Sequence, residues 1–88
     1  MVLKFKGQFN RDIDINNHEV LQNVYIEISN VKAASSINQI QHLKKLRSYK
    51  TYYRIRVADD YRIGVIIRKK TVWFVCFGHR NTIYKYFP

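Results

Sequence analysis

Over roughly the first half of the chain, apolar side chains recur at spacings of three, four and seven, whereas from Tyr52 onward they recur at every second position. That change of period predicts helices first and strands afterwards. "VLKFK" at the start alternates, with Leu3 and Phe5 on one face, and predicts a short strand of edge character. Ile13, Val20, Leu21, Val24 and Ile28 form the stripe of an amphipathic helix running from about Arg11 to about Lys32. "AASS" interrupts it. Ser36 and Gln39 make a capping box ahead of Ile37, Ile40, Leu43 and Leu46, which predicts a second helix from near Ile37 to near Leu46.

Beyond Tyr52, Tyr53, Ile55 and Val57 alternate with Tyr52, Arg54 and Arg56; after a turn at Ala58, Asp59 and Asp60, Tyr61, Ile63, Val65 and Ile67 alternate with Arg62, Gly64, Ile66 and Arg68. Each arm of this hairpin has an apolar face and an arginine-bearing face. "RKKT" is a second turn, and "VWFVCFGH" is apolar on both faces, as a strand inside the sheet should be. In the tail "NTIYKYFP", Ile83 and Phe87 stand four apart and predict a short helix capped by Asn81. The order β-α-α-β-β-β, with that terminal helix, predicts an α+β domain: two helices packed on one face of a small, twisted, mainly antiparallel sheet. If the helices cover the face bearing Ile55, Val57, Ile63 and Val65, then Arg54, Arg56 and Arg62 emerge on the other.

The 88 residues, 47% of them apolar, suit one folded domain spanning 1–88. No run approaches a membrane span and the N-terminus lacks a signal peptide's apolar stretch, so the expectation is a cytoplasmic protein. The lone Cys76 sits in the apolar run as a buried thiol without a disulfide partner. His18 and His42 have no partner at metal-ligand spacing, and Asp59 and Asp60 are turn residues, so no metal or other cofactor is expected.

Charge changes the picture most. Residues 1–40 hold four Lys or Arg against four Asp or Glu, while residues 41–88 hold twelve against two, which accounts for the entire net charge of +10. Because these cations are interleaved with Tyr, Trp and Phe in strand-like sequence, they belong to a folded surface whose natural partner is a polyanion.

The segment "YYRIRVADDYRIGVIIRKKTVWFVCFGHRNTIY" resembles the signature region of RelE-like toxins of bacterial toxin–antitoxin systems, within the wider RelE/ParE superfamily. The likeness lies in a basic-X-basic pair (Arg54, Arg56), a Tyr-Arg pair (Tyr61, Arg62), the "GHR" that ends the last strand (Gly78, His79, Arg80) and a tyrosine shortly after (Tyr84). "HLKKLRSY" looks like the family's linker from the second helix, and the resemblance covers about residues 37–88. It implies a ribosome-dependent endoribonuclease that cuts mRNA in the decoding site of the 70S ribosome without a metal, held inactive by an acidic antitoxin. Arg54, Arg56, Arg62, Arg80 and Tyr84 match positions that bind substrate phosphates or take part in cleavage, and His79 stands where several members carry a histidine. Members also use lysines on the first hairpin strand, where this chain has two arginines.

Metal-free RNA cleavage uses the substrate's 2′-hydroxyl to attack the adjacent phosphorus. The protein must take up that proton, stabilise the phosphoryl oxygens and protonate the leaving 5′-oxygen. Arginine, always charged and fork-shaped, fits only the second task. That leaves His79 and Tyr84 for proton transfer: cationic surroundings favour Tyr84 as base and leave His79 as acid, base or RNA contact. Lys44, Lys45, Arg47, Tyr61 and Arg68 are the further candidate contacts to mRNA or ribosomal RNA. Two other functions fit the same composition: a ParE-like gyrase poison and a non-catalytic RNA-binding module.

Overall fold

The computed structural model describes all 88 residues. Strand β1 (Val2–Phe5) leads into helices α1 (Gly7–Asp14) and α2 (His18–Ala33); strands β2 (Leu43–Lys45), β3 (Tyr52–Val57), β4 (Tyr61–Arg68) and β5 (Thr71–His79) follow. The five strands form one sheet in the order β1-β5-β4-β3-β2, with β1 parallel to β5 and every other pair antiparallel. Both helices lie on one face of this α+β fold. There Phe9, Val24 and Val31 meet Ile55, Val57, Ile63, Val65, Val72 and Phe74, all fully buried.

The single helix expected from Arg11 to Lys32 is two. The first stops at Asp14 with Ile15 as its C-cap, and Asn17 caps the second, its side-chain oxygen accepting from the Val20 N–H at 3.0 Å. The second expected helix is only a 3₁₀ turn at Ile37–Gln39 followed by β2. Its apolar stripe does not line one face: Ile37, Ile40 and Leu43 join the helix-side core, while Leu46 packs on the opposite side of the sheet. The chain therefore wraps the sheet edge, and Leu43–Lys45 supply partners for the β3 backbone, Lys44 opposite Arg54. His42 makes the turn possible in a left-handed conformation, φ 62°. Its ring nitrogen Nδ1 lies 3.1 Å from the buried Glu27 carboxylate, which ties the turn to α2.

Two details set the second face. Gly64 pairs with Cys76 but Val65 with Phe74, so Val75 is an extra residue, a β-bulge that reverses which side each later residue of β5 faces. The Phe77 N–H just beyond it donates to the Asp12 carboxylate of α1 at 2.9 Å. The C-terminal segment then folds across this face through a 3₁₀ turn at Ile83–Lys85, preceded by Thr82 and not capped by the Asn81 side chain. Ile83 and Phe87 bury against Cys76, with Tyr52, Leu46 and Val75 around them. A Cβ on Gly64 would stand 2.6 Å from the Phe87 ring, so only glycine lets the tail lie this close.

Candidate functional site

On the tail-covered face, the β2–β3 hairpin, β3, β4 and the residues after β5 enclose an open cleft of about 1240 Å³. Lys44, Lys45, Arg47, Lys50, Arg54, Arg62 and Arg80 line it, with no acidic side chain among them. Alternation on β3 and β4 brings Arg54 and Arg62 to this face. Arg80 follows the end of β5, its backbone N–H donating to the Asp60 carbonyl at 2.7 Å. The tail brings Tyr84 in beside Arg54.

Two of the cations are held by backbone carbonyls. Arg62 Nη1 donates to the carbonyls of Asp59 and Tyr61, each at 2.8 Å, and Arg54 Nη1 to the His42 carbonyl at 3.3 Å. Arg80 has one distant carboxylate, Asp60, at 3.9 Å across an exposed rim, a pair of little energetic weight. Burial pushes the Arg54 guanidinium below its ordinary pKa; Tyr84 opposes that, while Arg62 and Arg56 reinforce it. Arg56 stands directly opposite Arg62 across β3 and β4, a like-charge pair that costs stability until an anion bridges it. Guanidinium groups so placed have the geometry to hold the oxygens of a phosphate.

The sequence-predicted residues divide. Arg54, Arg62, Arg80, Tyr84, Lys44, Lys45 and Arg47 come together, the last three from a strand and its hairpin turn and not from a helix end. Arg56 is exposed on the same face beside them. His79 and Tyr61 do not join them. The bulge at Val75 places His79 opposite Tyr61 on the helix-covered face, where Tyr61 stacks on Phe77 at 5.3 Å and His79 meets the Tyr61 ring edge at 5.8 Å. His79 Nδ1 accepts the Asn81 N–H at 3.1 Å, which leaves the proton of the neutral ring on Nε2. Arg68 is on the cleft's face but six residues along β4 from Arg62, about 20 Å at strand rise. Sequence reasoning missed Tyr49 and Lys50, which also line the cleft; the tilted packing of Tyr49 against Tyr52, ring centres 5.6 Å apart, fixes the hairpin tip there. No three His, Cys, Asp or Glu side chains group as a metal site, and no helix is long and apolar enough to cross a membrane. Cys76 is buried under the tail, its thiol pushed up to about 12 by burial and then by Asp12, against a backbone hydrogen bond at Gly64, so it stays protonated near neutrality.

A basic cleft, walled by a folded-back tail on the side of a five-stranded α+β sheet away from its helices, defines a small RelE-like toxin fold. No protein-family model matches the chain. Toxin RelE3 of Methanocaldococcus jannaschii is 33% identical over 89 residues, spanning 100% of both chains. The crystal structure of the RelB–RelE antitoxin–toxin complex from Methanococcus jannaschii matches at TM-score 0.79 and 32% identity, over 97% of this chain and 99% of that one. The intact RelBE toxin–antitoxin complex of E. coli matches at TM-score 0.69 and 19% identity, over 88% and 93%, a likeness of fold. The chain belongs to the RelE toxin family of toxin–antitoxin systems.

Proposed function

We propose that the chain is a ribosome-dependent endoribonuclease that cleaves mRNA in the decoding site and so arrests translation in the cytoplasm. The observation that carries this reading is the cleft itself: seven cationic side chains, no carboxylate, and one phenol beside a half-buried arginine. In the reaction the 2′-oxygen forms a bond to the adjacent phosphorus as the bond to the 5′-oxygen breaks. The 2′-hydroxyl proton passes to a base, a proton reaches the departing 5′-oxygen, and the ends left are a 2′,3′-cyclic phosphate and a 5′-hydroxyl. Arg54, Arg62 and Arg80 hold the phosphoryl oxygens and their growing charge, with Arg56 at the rim. Tyr84, the cleft phenol that stands beside Arg54, is assigned to proton transfer at the 2′-oxygen. His79, on the other face, acts through the packing of Tyr61 and not on the substrate.

Lys44, Lys45, Arg47 and Lys50 extend the cation field outward, toward mRNA and ribosomal RNA. The same field suits an acidic antitoxin segment that covers the cleft; the solved M. jannaschii and E. coli relatives are toxin–antitoxin complexes. Primer extension on message from a cell-free translation reaction tests the reading. Breaks within codons that appear only when ribosomes are present are expected; intact message beside arrested growth in cells would replace it with a gyrase poison.

A further inference from the structure

A second group of cations lies on the cleft's face of the sheet, at the opposite end of β4. Strand register sets Lys4 beside Trp73 and Trp73 beside Ile66, and the next row sets Arg68 beside Thr71. Lys6, just past β1, turns its ammonium over the same indole at 4.6 Å from the ring centre, and Lys4 lies at 5.8 Å. These contacts hold two flexible side chains in place. The chain has two ion pairs, His42 with Glu27 and Arg80 with Asp60, so Lys4, Lys6 and Arg68 have no carboxylate within reach. The acidic residues belong elsewhere: Asp12, Asp14, Glu19 and Glu27 to the helices, and Asp59 and Asp60 to the β3–β4 turn.

We propose that Lys4, Lys6 and Arg68 around Trp73 form a second anchoring site for the phosphate backbone of RNA, separate from the cleft. An aromatic ring flanked by unneutralised cations on a sheet face is suited to a nucleic-acid strand. Because Phe87 and Tyr52, their tilted rings 5.6 Å apart, stand between the two basic regions, an RNA that engages both passes over the tail. The site would thus grip RNA outside the segment being cut and orient the toxin on it. The choice of RNA as the polyanion rests on the proposed function; the cation cluster does not.

Trp73 is the only tryptophan in the chain, so its fluorescence reports on this site alone. The test titrates the whole protein with a 2′-O-methyl RNA oligonucleotide, which cannot be cleaved, in the absence of ribosomes. Trp73 emission should change to saturation, and should do so also in Arg62→Ala. The double variant Lys4→Ala/Lys6→Ala should bind about tenfold more weakly, with the slope of log affinity against log salt shallower by about 1.4; Arg68→Ala, which leaves the indole contacts intact, should lower it by about 0.7. Melting of each variant followed by circular dichroism separates weak binding from lost fold. RNA binding that leaves Trp73 emission unmoved, or variants that keep the parent's affinity and salt slope, would overturn the proposal. So would polyglutamate moving the emission at lower concentration than RNA, which would mark an acidic protein partner. Loss of message cleavage with this response intact would defeat the nuclease reading and leave the anchor standing.

Discussion

The two faces of the sheet carry opposite loads. On the helix side, Phe9, Val24 and Val31 close over Ile55, Val57, Ile63, Val65, Val72 and Phe74 so completely that none is exposed. On the other, only Cys76, Ile83 and Phe87 form a buried cluster, and the remaining space holds a cleft of cations of which only Arg80 has a carboxylate in reach. The difference shows where each property resides. Hydrophobic burial on one face stabilises the sheet strongly enough for the other to keep Arg56 opposite Arg62 and a desolvated Arg54, arrangements that oppose folding and favour binding an anion.

Breaking the stable face should have the largest effect. Phe74→Ala, which removes a fully buried ring between Phe5 and Phe9, should cost about 3–5 kcal/mol in denaturant-unfolding free energy. On the functional face the expectation inverts: Arg62→Ala should lower the cleavage rate about 10²–10³-fold while leaving the unfolding midpoint nearly unchanged. Gly64→Ala sharpens the contrast, because its methyl meets the Phe87 ring and must push the tail aside. It should cost about 1–3 kcal/mol and, by moving Tyr84, reduce cleavage by more than its stability loss explains.

Near neutrality the smallest effect lies under the tail, where a pH dependence shows itself only in alkali. The Cys76 thiol ionises near 9.0 when exposed but is pushed to about 12 in the fold, so the unfolded chain loses its proton first. Its contribution to stability is complete below pH 9 and disappears as pH rises through about 12. Chemical denaturation of the parent and of Cys76→Ala across that range should show the parent falling more steeply, and parallel curves would remove the thiol from the account.

Strand period made β3 and β4 legible, and with them the emergence of Arg54, Arg56 and Arg62 on one face. Their clean alternation depends on an apolar partner on only one side. "VWFVCFGH" is apolar at nearly every position, so nothing in it marks Val75 as a bulge. Unbroken alternation from Phe74 would have put His79 beside the arginines; one extra residue sends it to the helices. The stripe from Ile37 to Leu46 misled for a related reason. Helical spacing was imitated by residues that pack on both faces as the chain rounds the sheet edge. Glu27 and His42, far apart in sequence, pair only because that turn exists.

On the proposed function, catalysis belongs to the tail-covered cleft and not to the strand-end histidine. That assignment is tested most directly by the rate of message cleavage on 70S ribosomes, compared side by side for Tyr84→Phe and His79→Ala at matched folded concentration. A loss of about 100-fold or more is expected for Tyr84→Phe, the scale of a proton-transfer group, and a change within about threefold for His79→Ala. The reverse order, with His79→Ala inactive and Tyr84→Phe near the parent, would contradict it.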